Sequence, residues 1–153
     1  MNISYETHTD ARAWFTAHPL GVTDLTYLAR LIKEDTEAVI EPHLVRFFEH
    51  QGTLMVACDG KKIVGAACLV KVFKYNGFTY RLEHVSVHPE YRGHGIARHL
   101  VTELMKLGER EGRYIDLTCE PCRVNANWLY GELGFKERDT NPRRFVISEA
   151  VTL

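Results

Sequence analysis

Between Thr53 and Val87 the chain reads as strand, and two turn signals divide it. The apolar runs Thr53 to Cys58, Lys62 to Phe73 and Phe78 to Val87 are separated by Asp59-Gly60 and Asn76-Gly77. Asp-Gly and Asn-Gly supply the positive-φ residues that tight hairpin turns need, so the three runs predict an antiparallel meander. A meander of this kind needs helices against its faces, and the flanking segments offer them.

Before the meander, Val22 to Ile40 has a helical pattern. Leu25, Leu28, Ala29, Ile32 and Val39 fall near one face, with Thr23 or Asp24 as the cap. Pro42 breaks that helix, and His43 to His50 predicts a short second one ending near Gly52. Ile3 to Thr7 alternates like an edge strand. After the meander, Ile96, Ala97, Leu100, Val101, Leu104 and Leu107 repeat at helical spacing, which predicts a helix from Ile96 to Glu111 stopped by Gly112. Tyr114 to Thr118 reads as a strand, Val124 to Leu133 as a helix stopped by Gly134, and Arg144 to Ser148 as a last strand. The expected fold class is α/β, with a mixed, mostly antiparallel central sheet and helices on both faces. No linker divides the 153 residues, which predicts one domain over 1–153.

Charge and composition exclude some partners. Nineteen Lys and Arg stand against twenty Asp and Glu, a formal charge of −1, so no general field favours nucleic acid. The longest apolar runs, such as Ile63 to Val70, are too short to cross a bilayer. Met1 to Asp10 lacks the basic start and apolar run of a signal peptide, so a cytoplasmic place is expected, with the four cysteines reduced. Cys119 and Cys122 form a C-x-x-C pair, which leaves a thiol oxidoreductase as one alternative. Zinc needs two more ligands, and Cys58 and Cys68 make no second pair. His84, His88, His94 and His99 crowd one region without forming a zinc helix, so no metal is expected.

The chemistry concentrates where the third strand runs through a turn into a helix. The segment reads Leu82-Glu83-His84-Val85-Ser86-Val87, His88-Pro89-Glu90-Tyr91, then Arg92-Gly93-His94-Gly95-Ile96-Ala97. A helix start presents N–H groups without intrahelical partners, together with the positive end of the helix dipole. Glycines there let a phosphate approach the backbone, and Arg92 adds a full positive charge. Arg98 stands where a dinucleotide fingerprint has its third glycine, and no Gly-Lys-Ser/Thr follows, so neither of those phosphate motifs is present. A tight structural turn accounts for the glycines equally well.

The segment resembles the coenzyme A motif of the GNAT N-acetyltransferases, V-x-V-H-P followed by R-x-x-G-x-A, carried here by Val85 to Ala97. A second stretch, Ala126-Asn127-Trp128-Leu129-Tyr130-Gly131-Glu132-Leu133-Gly134-Phe135, is similar to the family's A-x-x-L-Y-x-x-L-G-F helix. The resemblance implies the GNAT acyl-CoA N-acyltransferase fold and acetyl-coenzyme A as cosubstrate. It implies that Val85, Ser86 and Val87 pair with the pantetheine arm, on a strand splayed from its neighbour. It also implies that Arg92, Gly93, His94, Gly95, Ile96, Ala97 and Arg98 cradle the pyrophosphate, and that Tyr130 protonates the leaving thiolate. Many members carry Asn seven residues before that Tyr; here Arg123 stands there, with Asn125 and Asn127 nearby to supply an amide.

An amine must lose a proton before it attacks a thioester. Glu83 is the expected base. By the two-residue period it shares a strand face with Val85 and Val87, and apolar burial there would raise its pKa. An ion pair with Arg81 is the structural alternative, and His84 is the next candidate, on the other face. Phe47 and Phe48 are candidates for the acceptor pocket. The expected activity is acetyl transfer to a primary amine of a small molecule or peptide. A non-catalytic acyl-CoA sensor is the other alternative, and a homodimer stays open.

Overall fold

Alternation and helical spacing translate into eleven segments in the computed structural model, which describes residues 1–147. β1 (Ile3–His8) is followed by three helices, α1 (Ala11–Ala17), α2 (Gly21–Ile32) and α3 (Glu41–Glu49). β2 (Thr53–Asp59), β3 (Lys62–Lys74) and β4 (Gly77–Val87) form the meander. A 3₁₀ turn (Pro89–Tyr91) leads to α4 (Ile96–Glu111), and β5 (Ile115–Asp116) and α5 (Val124–Glu132) complete the order. The sheet runs β1-β2-β3-β4-β5; the first four strands are antiparallel and β5 joins β4 in parallel. This is the mixed, mostly antiparallel sheet expected. The chain divides into two compact units, Met1–Cys119 and Glu120–Leu153.

Register shows which face each strand residue covers, because Cα partners share a face. Leu54, Val56 and Cys58 of β2 pack into one apolar cluster with Trp14, Leu25, Leu28, Leu44 and Phe48 of the first three helices. The opposite face meets α4. A Cβ added to Gly65 would lie 3.0 Å from Ile96 Cγ2 and 3.5 Å from the Cβ of Ala57, its partner on β2. Helices therefore cover both faces, and α4 buries Ile96, Leu100, Val101 and Leu104. Its end is set by Gly112, whose φ of 62° only glycine adopts cheaply.

Several boundaries differ from the sequence reading. The helix expected over Val22 to Ile40 stops at Ile32. Its continuation would place Glu34, Asp35 and Glu37 at the negative end of the helix dipole. The chain folds back instead: Arg30 Nε donates to Thr36 O (3.1 Å) and the Val39 N–H to Thr26 Oγ1 (2.9 Å). Neither Thr23 nor Asp24 caps α2, which starts at Gly21; the Asp24 carboxylate accepts the N–H of Ile63. Pro42 sits in the first turn of α3, where its missing N–H costs nothing, so it opens that helix rather than preceding it.

α1 was absent from the sequence reading. It is a seven-residue helix with one buried side chain, Trp14, capped by Asp10, whose carboxylate accepts the N–H of Ala13 at 2.8 Å. β5 is only two residues long, since its ladder with β4 stops at Arg81↔Asp116. The strand expected from Arg144 is not formed over 144–147, where Phe145 and Ile147 stay exposed and have no face to cover. Ser148 lies outside the described residues.

Candidate active site

At its C-terminal end β4 has one unpaired edge. β3 holds one side as far as Val87, pairing it with Gly65, but β5 pairs only with Tyr80 and Arg81. Among the described residues no strand lies along the β5-facing edge between Glu83 and Val87, so main-chain groups there, apart from Val87 O, can meet a ligand.

The strand then enters a pinned turn. His88 Nδ1 accepts the N–H of Glu90 (3.1 Å), and the Tyr91 hydroxyl donates to Asp59 Oδ2 (2.7 Å), tying the turn to the end of β2. Arg92 Nε donates to Val87 O at 3.0 Å, which lays the guanidinium back over the strand end. His94 Nδ1 stands 3.0 Å from Arg92 O and 3.2 Å from Tyr91 O; carbonyls only accept, so this nitrogen carries the hydrogen. Gly93 and Gly95 have φ of 82° and 76°, and a Cβ at either would meet nothing within 4 Å. Conformation demands the glycines, and the space beside them is open. The first helical bond of α4 runs from His99 N–H to Gly95 O, so the N–H groups of Ile96 and Ala97 point away from the helix ladder. Backbone donors, the dipole of a 16-residue helix and the Arg92 charge converge on one exposed turn, an arrangement suited to an anion.

The faces of β4 differ from the expected alternation. Gly65 pairs with Val87 and Ala66 with Ser86, but Cys68 pairs with Glu83, so His84 and Val85 together oppose Ala67. This is a β-bulge, and His84 carries it at φ 53°, a left-handed conformation uncommon outside glycine. The extra residue reverses the phase. Glu83 shares the face of Cys68 and Ala66, toward α1 to α3, whereas Val87 shares that of Gly65, toward α4. Glu83 is therefore not on the face of Val85 and Val87. Nor is it enclosed by apolar neighbours: its side chain is 38% exposed, and Oε1 accepts from Arg81 Nε at 3.0 Å.

His84 lines a cavity of about 270 Å³ on that face. Leu25, Leu28, Leu44 and Phe47 form its helical wall, Ala66, Ala67 and Cys68 its floor, and Thr36 to Val39 part of its border. Phe47 lines this space, whereas Phe48 is buried in the core. The border segment escaped the sequence reading because the overlong helix had absorbed it.

In the second unit, Tyr130 is the buried residue of α5, with its ring 5.9 Å from that of Phe135. Asn127 Nδ2 donates to Glu120 O (2.9 Å) and Arg123 O (3.1 Å), so this amide secures its own helix start. Asn125 is exposed, as is Trp128.

A polar cluster away from the cavity was also missed. Glu6 Oε2 lies 2.5 Å from His18 Nε2 and 2.9 Å from His8 Nε2. The ligating atoms of Glu6, His18 and Cys58 fall within 4.8 Å of one another. Burial pushes Glu6 upward, but the hydrogen bonds and charges of His18 and His8 outweigh it and hold the carboxyl below its ordinary value. Burial, then the nearby Glu6 and Asp24 charges, push the Cys58 thiol up to about 11; burial and Glu83 push Cys68 up to about 12. Both thiols stay protonated and unreactive at neutral pH. Among the described residues none of the four cysteines forms a disulfide, Cys119 and Cys122 included.

The sequence model of the family described as "Acetyltransferase (GNAT) family" matches residues 14–135. An aminoglycoside acetyltransferase from an uncultured soil metagenomic sample, in complex with trehalose, is similar in structure. Its TM-score is 0.78 at 15% identity, over 95% of this chain and 97% of that one. A predicted acetyltransferase from Clostridium acetobutylicum, solved with acetyl-CoA, has a TM-score of 0.68 at 19% identity, over 94% and 96% of the two chains. At these identities the likeness is one of fold. An uncharacterised protein of Mycobacterium leprae (strain TN) is 28% identical over 88 residues, 58% of this chain and 24% of its own length. The matched region spans about a quarter of that relative.

Proposed function

The chain belongs to the Acetyltransferase (GNAT) family, and on that premise we propose that it transfers the acetyl group of acetyl-coenzyme A to a primary amine of a small molecule or peptide. The observation that carries this reading is the unpaired edge of β4 leading straight into the Gly93–Gly95 turn. A linear ligand with an anionic centre fits that sequence of surfaces. Its pantetheine arm would add to the edge at Val85, Ser86 and Val87. Its pyrophosphate would meet the N–H groups from Gly93 to Arg98, with the Arg92 guanidinium alongside.

The amine would approach from the cavity beside His84. Its lone pair attacks the thioester carbonyl, a C–N bond forms and the C–S bond breaks. The oxyanion between these events is held by main-chain N–H near Val85. Glu83 takes the ammonium proton before attack, through a water where it does not touch the amine; Tyr130 gives a proton to the leaving thiolate, and the second proton, lost from nitrogen as the amide forms, passes through solvent to restore the Tyr130 hydroxyl. His84 lines that cavity and is the second candidate for the base. Asn125 is the remaining candidate for an amide contact to the coenzyme, since Asn127 is engaged by its own loop. The family match crosses from the first unit into the second, which supports taking the 153 residues as one N-acetyltransferase domain.

The test measures acetyl-coenzyme A binding by calorimetry and free coenzyme A released with a panel of amines. Binding with amine-dependent release, and an acetylated amine seen by mass spectrometry, is the expected result. Binding with no amine-dependent release would leave a sensor of acyl-coenzyme A instead.

A further inference from the structure

We propose that the acceptor is a compact amine with one positive charge and an apolar body, and that the His84 cavity excludes polycations. This rests on the acetyl transfer argued above and adds the substrate class. The cavity, about 270 Å³, lies at the small end of the range for ligand pockets. Its inner wall and floor are hydrocarbon: Leu25, Leu28, Leu44, Phe47, Ala66 and Ala67. Its polar side chains, Thr36, Glu37, His43 and His84, include one carboxylate among the described residues, Glu37, on the exposed stretch that follows α2.

Each part of that lining selects. An apolar body gains from leaving water for the Leu25-Leu28-Phe47 wall. An ammonium gains nothing there, because no acceptor on the wall replaces its hydration. A molecule with several ammonium groups would need a carboxylate for each and would find Glu37 in the lining and Glu83, already bonded to Arg81, beside it on β4. The reacting nitrogen must also stay beside β4, which the cavity reaches at His84. The apolar body then points inward, and the amine remains at the rim between His84 and the unpaired strand. A polycationic aminoglycoside is too large and too charged for this arrangement, although aminoglycoside acetyltransferases share the fold.

The experiment compares 2-phenylethylamine, hexylamine, glucosamine, spermine and sisomicin by coenzyme A release with the full chain. The monoamines with apolar bodies should give kcat/KM at least about tenfold above the other three, since one unpaired ammonium in an apolar site costs more than that factor. Phe47→Ala should raise KM for 2-phenylethylamine several-fold with kcat held. Glu37→Gln, on an exposed segment where folding is not at stake, should raise KM less and lower the rate at which salt weakens it. Preferred turnover of spermine or sisomicin, or an unchanged KM in both variants, overturns the inference and leaves acetyl transfer standing. Tight acetyl-coenzyme A binding with no release on any of the five brings down the acetyl-transfer reading, and the inference with it.

Discussion

At the scale of single residues, His84 decides the most. Its positive φ inserts one residue into β4 and moves Glu83 from the α4 face to the face that carries the cavity floor. A Glu-Arg pair half in solvent is a weak stabilising contact, so Glu83→Gln should leave the fold and coenzyme affinity unchanged. As the proposed base its loss should cost about 10²- to 10³-fold in turnover and weaken the acidic limb of the pH–rate profile. A rise in KM alone, with that limb unmoved, would reassign Glu83 to orienting the ammonium. Tyr130→Phe should lower kcat while calorimetry finds the same coenzyme affinity; a coenzyme thiol leaves fairly well, so the drop belongs near the lower end, about 10²-fold. Gly95→Glu should weaken coenzyme binding by more than about tenfold, through negative charge at the anion site and a side chain forced to φ 76°. Circular dichroism separates that loss from unfolding.

At the scale of elements, periodicity carried as far as the spacing of apolar residues was decisive. α4 was legible to the residue because five buried positions, from Ile96 to Gly108, follow one stripe and two glycines close its ends. The meander was legible because its turns use Asp59-Gly60 and Asn76-Gly77. α1 was not, having one buried side chain in two turns. Val39 misled the reading of α2: it meets that helix through its own N–H, bonded to Thr26, and not as part of its stripe. The bulge leaves little mark in the sequence, since positive φ is uncommon outside glycine and His84 stands in an otherwise regular strand run. The turn that suits an anion is legible in the sequence; the cavity is not, because its Thr36 to Val39 border reads as a continuation of α2. The capping of α1 gives a check at this scale. Asp10→Ala should cost about 1 kcal/mol, seen as a fall in Tm of about 2–4 °C, with coenzyme affinity unchanged.

At the scale of the whole molecule, acid should act through β1. Glu6 is held below the ordinary carboxylate value of 4.5 by His18 and His8. Its contribution is complete above that value and is lost as pH falls through the lowered one. The side chain is 38% exposed, so the effect is modest. Urea denaturation from pH 7 to pH 3 should show the wild type losing more stability below about pH 4.5 than Glu6→Gln does. The order of the strands carries a kinetic meaning as well. β2, β3 and β4 are neighbours in both chain and sheet, joined by two-residue connections, so they can zip together with little loop-closure entropy. The β4–β5 pair joins Tyr80 to Ile115 across the whole of α4 and consists of two residue pairs. The edge that would receive the coenzyme is thus bordered by the shortest ladder of the sheet, closed late and least costly to open. A ligand lying along it would clamp the seam where the sheet begins to come apart, and so lengthen the life of the folded chain.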